Sequence, residues 1–334
     1  MSGTLLDGHD VVLFDLDGTV FRGGELVPGA LEAVREVHRR GVAVRYVTNN
    51  ASKPDQAVAD HLTGLGLPAE RAEVSTSAQA GAAVLAEKLP AGSRVLVVGS
   101  AALVSEVDKA GLVPVSDFAD DPVAVVQGLS TDIAYRDLAE ACLAIRAGAL
   151  WVASNGDRTL PTERGLMPGN GSLVALLRAA TDQEPLVAGK PERPLLDRAV
   201  SSARAESPLM VGDRLDTDIA GAVNAGMPSL MVLTGVNTPA DLLGAPPEMR
   251  PDHVAADLRG LLQAPAEVAI AAQDGWQVRV DDDGLELAGS DQQSDALAAL
   301  RSLCSAWWAT SSGPVAVRGA DEHAKAALRE LGLA

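Results

Sequence analysis

The chain has almost no cysteine: Cys142 and Cys304 are the two in 334 residues. Two cysteines cannot make a disulfide framework, and a pair of reduced thiols fits a reducing cytosol. Long apolar runs are missing too. None reaches the roughly 18 residues that a spanning helix needs. The opening MSGTLLDGHD has no basic region leading into an apolar core, so no signal peptide is expected and the cytoplasm is the expected compartment. Basic residues are scarce, with 27 Lys and Arg against 45 Asp and Glu, a formal net charge of −18. That balance argues against nucleic acid and against anionic membrane surfaces as partners. No repeats or low-complexity tracts occur. GSAALVSEVDKAG follows a strand but lacks the glycine fingerprint of a dinucleotide site. The histidines stand singly. His9, His38, His61 and His323 read as surface residues and His253 as a loop residue, none with metal-ligand spacing.

The length suggests two or three domains with sizeable cores. VVLFD, VAVRYVTNN, SRVLVVGS, PVAVVQGL, ALWVASNGD, LMVGDRLDTD and MPSLMVLTG read as strands. They alternate with amphipathic helical segments, which predicts parallel sheets with helices on both faces. Chemistry-bearing strand ends fall before about residue 76 and after about residue 186. This predicts a core of 1–76 and 186–262 with a domain of 77–185 inserted into it. Past residue 264 a small α/β unit of 265–334 is expected, with a turn at Asp283-Gly284 joining two strands. In it Trp307 and Trp308 lie on an amphipathic helix, one face for the core and the other for an interface.

The stretch VVLFDLDGTVFRGG ends an apolar strand on two acids, Asp15 and Asp17. Other strands end on Thr48, Asn49 and Asn50, and on Gly212-Asp213 with Asp216 and Asp218. Lys190 lies on the loop VAGKP. In a doubly wound sheet, ligands sit beyond the carboxyl ends of the strands. Converging carboxylates cannot all stay ionised without compensation. Magnesium would compensate them, taking Asp15, Asp213 and one backbone carbonyl, with that of Asp17 a candidate, plus waters and a ligand oxygen. The cation and Lys190 would draw in phosphate. Asp15 can then attack phosphorus, while Asp17 gives and takes the proton. Thr48 would bond a phosphoryl oxygen, and Gly18 lets the chain turn sharply past the site. Asp216 reads as a solvated or capping acid. Asn155 and Asp157 either contact the substrate or make a structural turn.

DLDGT (15–19), TNN (48–50), GKP (189–191) and GDRLDTDI (212–219) resemble, in order and spacing, the four motifs of haloacid dehalogenase superfamily phosphatases. An insert between TNN and GKP is the arrangement of the type IIA branch. That branch acts on phosphoglycolate, pyridoxal phosphate, nucleotides and glycerol phosphate. SNGDRTLPTERGLMPGNGSL (154–173) is similar to a stretch of its cap domain. The resemblance covers about residues 8–262. It implies a Rossmann-like α/β core with an inserted α/β cap of the C2 type. It also implies Asp15 as nucleophile and Asp17 as general acid/base, with Thr48 and Lys190 binding phosphate. Asp15, the Asp17 carbonyl and Asp213 would hold Mg2+, Asp218 would support them, and Asn49 and Asn50 would line the phosphate pocket.

The whole chain, tail included, resembles actinobacterial glycerol 3-phosphate phosphatases, whose C-terminal domain resembles an acetyltransferase fold. The tail here lacks the R/Q-x-x-G-x-G/A loop of an active acetyltransferase and is short for one, so it reads as non-catalytic. The expected partner is a small phosphorylated metabolite, glycerol 3-phosphate before phosphoglycolate. A catalytically silent scaffold acting through the tail and a phosphotransferase are the competing readings. Pairing as a homo-oligomer through cap or tail is left open.

Overall fold

Val11–Phe14 form strand β1, and all four residues are buried, as an apolar run in the middle of a parallel sheet requires. The computed structural model describes residues 3–162, 164–289 and 295–334. Met1, Ser2, Glu163 and 290–294 lie outside them, and with them part of the expected stretch 154–173 and part of the expected unit 265–334.

A hairpin, β2 (Phe21–Arg22) and β3 (Glu25–Leu26), follows, and then α1 (Ala30–Arg39). This helix buries Ala30, Ala33, Val34 and Val37, the i, i+3, i+4, i+7 stripe of an amphipathic helix. Next come β4 (Ala43–Thr48), α2 (Asp55–Gly64), β5 (Val74–Thr76) and α3 (Ser77–Lys88). The inserted segment continues with β6 (Arg94–Val98), α4 (Ala101–Lys109), β7 (Val113–Val115), β8 (Ala124–Gln127), α5 (Tyr135–Arg146) and β9 (Leu150–Ala153). A hairpin of β10 (Thr159–Thr162) and β11 (Gly165–Pro168) leads to α6 (Asn170–Thr181), β12 (Leu186–Val187) and α7 (Arg193–Ala203). The chain then runs through β13 (Pro208–Gly212), α8 (Ala220–Ala225), β14 (Ser229–Val232), α9 (Pro239–Leu243) and β15 (His253–Ala255). It ends with α10 (Pro265–Val268), β16 (Trp276–Asp281), β17 (Gly284–Gly289), α11 (Ala296–Trp308), β18 (Val317–Gly319) and α12 (Glu322–Glu330). No described helix is long and apolar enough to cross a membrane.

The contacts divide the chain into two units, and the division falls inside β4. Unit 1 comprises 1–45, 65–67 and 203–334. Its main sheet runs β15-β14-β13-β1, with β4 next to β1. β13 pairs in parallel with β1 and with β14, and β14 with β15. Unit 2 comprises 46–64 and 68–202. The second half of β4 pairs there with β5. Its larger sheet, ordered β12-β9-β8-β6-β7, is parallel throughout. One face buries Val95, Val126 and Val152 with Leu85 of α3 and Leu103 of α4. The other buries Val125 and Trp151 with Ala141 of α5 and Leu177 of α6.

The tail shares its core with the rest of unit 1. Trp276, Leu300, Leu303 and Cys304 are buried in one cluster with Met231, Leu242 and Val254. Arg301 of α11 donates from Nε and Nη2 to the Val254 carbonyl of β15, at 3.1 and 3.0 Å. Trp308 Nε1 donates to the Leu243 carbonyl at 3.0 Å, and the Arg250 guanidinium lies 5.1 Å from the Trp308 ring centre. The second face of the Trp-bearing helix therefore meets the rest of unit 1.

Three expectations shift. Asp281 pairs with Gly284, so the turn is Asp282-Asp283 and Gly284, at φ +126°, already belongs to β17. His253 opens β15 rather than sitting in a loop. His9 and His323 are half-buried, each with a buried Nδ1.

Leu303→Ala removes a fully buried side chain from the shared cluster and should destabilise unit 1 by about 2–5 kcal/mol. Trp276, Trp307 and Trp308 lie in the tail. In denaturant titrations their fluorescence and the far-UV signal of unit 1 should shift together. A tail that melts first by itself would show separate packing.

Candidate active site

The register of β1 and β13 places the acids of unit 1. Phe14 pairs with Val211, and Asp15 N continues the ladder to the Val211 carbonyl at 2.9 Å. Asp15 thus leaves β1 beside the strand from which Asp213 emerges. After Gly212 the chain makes a wide turn over Leu215–Ile219, a single π-type turn where LMVGDRLDTD was expected to continue as a strand, and the turn carries Asp218. Arg214 N donates to Asp218 Oδ2 at 3.1 Å. One carboxylate oxygen from each of Asp15, Asp213 and Asp218 lies within 4.8 Å of the others; Asp213 and Asp218 are fully buried and Asp15 half-buried.

Two carboxylates at 4.8 Å repel by on the order of 3–4 kcal/mol at an effective dielectric of about 20. Three such groups, two of them out of water, need positive charge nearby. All three donors are hard carboxylate oxygens, the set that suits Mg2+ or Ca2+ and not a soft metal.

Asp213 is fixed from both sides. Thr19 Oγ1 donates to its Oδ1 at 3.0 Å, and Val236 N donates to its Oδ2 at 2.8 Å. The space around it admits no side chain. A Cβ on Gly235 would stand 1.8 Å from Asp213 Oδ2, and one on Gly18, at φ +91°, would stand 2.6 Å away.

Asp17 is exposed, two residues past Asp15. The loop beneath it is closed by Gly18 N donating to the Phe21 carbonyl at 2.8 Å and by Thr234 Oγ1 donating to the Gly18 carbonyl at 2.6 Å. Partial desolvation pushes the Asp17 carboxyl above its ordinary pKa, against the pull of Arg22 and Arg214. A carboxylic acid so shifted is a better proton donor near neutrality. Asp216 pairs with Arg214 at 2.8 Å on the surface, as a solvated acid would.

Unit 2 carries the other sequence-derived candidates. Thr48 ends β4 and accepts from Asn50 N at 3.1 Å. Exposed Asn50 turns its Oδ1 to Ser52 N and Oγ, both at 2.7 Å. Asn49 holds Lys190 by the backbone: its Oδ1 accepts Lys190 N at 2.8 Å, and its Nδ2 donates to the Lys190 carbonyl at 2.9 Å. Asn49 Nδ2 also donates to Asp157 Oδ1 at 3.1 Å. Lys190 is 2% exposed, and its Nζ donates to the Val47 carbonyl at 3.3 Å. A buried ammonium is a strong anchor for an anion. Asn155 Nδ2 donates to the Asn49 carbonyl at 2.7 Å, and Ser77 Oγ bonds the same oxygen.

The structure therefore gathers Asp15, Asp213 and Asp218 in unit 1, and Asn49, Lys190, Asn155 and Asp157 in unit 2. Sequence reasoning missed Thr19, Gly235, Val236 and Ser77. Thr19 stands inside DLDGT and could have been found there. The other three act across long sequence separations, with no local signature.

Known proteins resemble the chain along its whole length. A model of haloacid dehalogenase-like hydrolases matches residues 12–113, a HAD-hydrolase-like model matches 187–261, and a GCN5-related N-acetyltransferase-like domain matches 273–333. The D-glycerol 3-phosphate phosphatase of Mycobacterium tuberculosis is 48% identical over 97% of this chain and 94% of its own. A 5'-nucleotidase of Bacillus subtilis is 41% identical over 67% of this chain and 87% of its own. The crystal structure of the M. tuberculosis glycerol phosphate phosphatase in complex with magnesium superposes with a TM-score of 0.95, at 48% identity, covering 100% of both chains. The chain belongs to the haloacid dehalogenase-like hydrolases.

Gly235→Ala should push Asp213 out of place and weaken Mg2+ binding, measured by calorimetry, at least as much as Thr19→Val does. Loss of a single orienting partner at a metal site typically costs 10–100-fold in affinity.

Proposed function

We propose that this haloacid dehalogenase-like hydrolase is a magnesium-dependent phosphatase that takes small phosphate monoesters, glycerol 3-phosphate first, through a phosphorylated Asp15. The observation that carries the reading is the packed trio Asp15, Asp213 and Asp218 at the carboxyl ends of neighbouring parallel strands. Asp15 and Asp213, with the Asp17 carbonyl, are the proposed Mg2+ ligands, and Asp218 supports them. Bound magnesium offsets the charge of the carboxylates and of the phosphoryl oxygens.

The chain's own groups do the rest. Lys190 and the Thr48 hydroxyl hold phosphoryl oxygens, beside Asn50. An Asp15 oxygen attacks phosphorus as the bond to the ester oxygen breaks, and Asp17 gives that oxygen its proton, releasing the alcohol. Water then attacks the acyl phosphate, Asp17 takes its proton, and the bond from phosphorus to Asp15 breaks. Inorganic phosphate leaves and both carboxyls return to their starting forms. Asn49, with its amide committed to Lys190 and Asp157, acts by holding Lys190, and Asn155 and Asp157 act by holding Asn49.

Glycerol 3-phosphate is favoured because the relative named for that substrate matches through the tail, whereas the nucleotidase match covers 67% of the chain. Phosphoglycolate, pyridoxal phosphate and nucleotides follow. Residues 77–185 are proposed as the cap that closes over the substrate, on a core of 1–76 and 186–262. Residues 265–334 are proposed as a non-catalytic packing domain. A cytoplasmic protein without nucleic-acid partners fits the acidic charge. Pairing of two copies would use the cap or the tail.

Phosphate release from a panel of small monoesters, with and without Mg2+, tests the reading. Release should require Mg2+ and disappear in Asp15→Asn. Asp17→Asn should lower kcat by about 10²–10⁴-fold for alkyl phosphates; with p-nitrophenyl phosphate the first-turnover release of p-nitrophenol should fall much less, since that leaving group needs little protonation, while the later hydrolysis of the acyl phosphate still lacks its base. Release unaffected by Asp15→Asn would contradict the mechanism. Phosphate passed to another acceptor without appearing in solution would make the chain a phosphotransferase.

A further inference from the structure

Asn170 opens α6 in unit 2 and is 1% exposed. Its Nδ2 donates to the Asn155 carbonyl at 2.7 Å. Its Oδ1 is buried and has no hydrogen-bond partner among the described residues. An amide that leaves its oxygen unsatisfied destabilises the fold relative to an apolar residue of that size. The side chain is therefore explained by what its nitrogen does.

That nitrogen lies at the head of a continuous series of bonds. The first turn of α6 is pressed onto the loop after β9. Gly171 N donates to the Asp157 carbonyl at 2.8 Å, Gly169 N to the Arg158 carbonyl at 2.9 Å, and Ser172 Oγ to the Arg158 carbonyl at 2.7 Å. A Cβ on Gly171 would stand 2.1 Å from the Gly156 carbonyl, so the approach has no slack. Within the loop, Asp157 N donates to Asn155 Oδ1 at 3.2 Å. From the loop, Asn155 Nδ2 reaches the Asn49 carbonyl at 2.7 Å, and Asp157 Oδ1 accepts Asn49 Nδ2 at 3.1 Å. Asn49 then clasps Lys190 by both its N–H and its carbonyl. Asn170 thus joins a loop that ends at the one buried lysine among the described residues.

We propose that Asn170 is a positioning residue for phosphate binding, holding Asn155 so that Asn49 keeps the Lys190 backbone in place. The inference rests on the phosphate-binding role given to Lys190 above. Asn170 touches neither substrate nor metal in this account. Hydrogen bonds in series polarise one another in a low-dielectric interior, so losing the first loosens the last. A displacement of Lys190 by a fraction of an ångström lowers transition-state binding more than ground-state binding.

The test is a double-mutant cycle on the full chain, with Mg2+ present. Asn170→Ala should lower kcat/KM by about 10–100-fold, mainly in kcat. It should weaken inhibition by orthovanadate, a mimic of the five-coordinate phosphoryl group, by a similar factor. On an Asn49→Ala background the same substitution should change kcat/KM by less than about twofold, because the series is already cut. Asn170→Asp keeps the volume and replaces the donor by an acceptor. It should lose activity near neutral pH and regain it toward acid, as the new carboxyl takes a proton and donates to the Asn155 carbonyl.

Circular dichroism and thermal midpoints separate folding from positioning. If Asn170→Ala unfolds the protein, Asn170→Asp across pH supplies the reading. Effects of Asn170→Ala and Asn49→Ala that simply add would overturn the inference, as would a lower midpoint with unchanged kinetics. Lys190→Met tests the premise separately: full activity in that variant removes the phosphate-binding role of Lys190, and the inference falls with it.

Discussion

The in-register parallel pairing of β1 with β13 is the constraint on which the site of unit 1 depends. Because Val11–Phe14 lie against Pro208–Val211, the next residues of both strands leave the sheet at the same edge, and carboxylates about 200 positions apart in sequence become neighbours. The strands that hold them are apolar and, but for Pro208, buried, and this makes their ends rigid. Thr19 and the Val236 amide then fix one carboxylate, and Gly18 and Gly235 leave it room.

The same logic, written in amides instead of carboxylates, organises unit 2. Asn49–Ala51 follows the end of β4, and its carbonyls and side chains are met by groups from far along the chain: Ser77, Ser100, Asn155 and the Lys190 backbone. Asn49 is the centre of this network. Its amide makes three hydrogen bonds to two residues, Lys190 and Asp157, so the residue serves the phosphate by holding the lysine.

The strand ends were legible in the sequence because buried parallel strands read as apolar runs, and a polar residue closing such a run stands out. Asp15, Asp213, Thr48 and Lys190 could be marked in this way, and their order and spacing carried the family resemblance. The turn of the β16–β17 hairpin was misplaced by one residue, since Gly284 uses its positive φ inside the strand. The strand read over LMVGDRLDTD stops at Gly212, because the polar run after it turns at Leu215–Ile219 to carry Asp218 back to the strand end. The partners of Asp213 and the role of Asn170 were illegible for a different reason. A backbone N–H or a carbonyl has no residue type, and a contact between residues far apart leaves no local pattern. The short strands β5, β7, β12 and β15 also gave little signal, having two or three residues each. The tail was legible as a small α/β unit. Its fusion with the core through Arg301, Trp308 and a common apolar cluster was not, because an amphipathic helix shows that it packs and not what it packs against.

The central claim is that Asp15 carries the phosphoryl group during turnover. Rapid acid quench of the Mg2+-loaded protein with radiolabelled glycerol 3-phosphate, followed by peptide mass analysis, tests it directly. The account predicts a hydroxylamine-sensitive acyl phosphate on the peptide containing Asp15, formed before phosphate appears and absent in Asp15→Asn. Phosphate release at full rate with no label on Asp15 would contradict it.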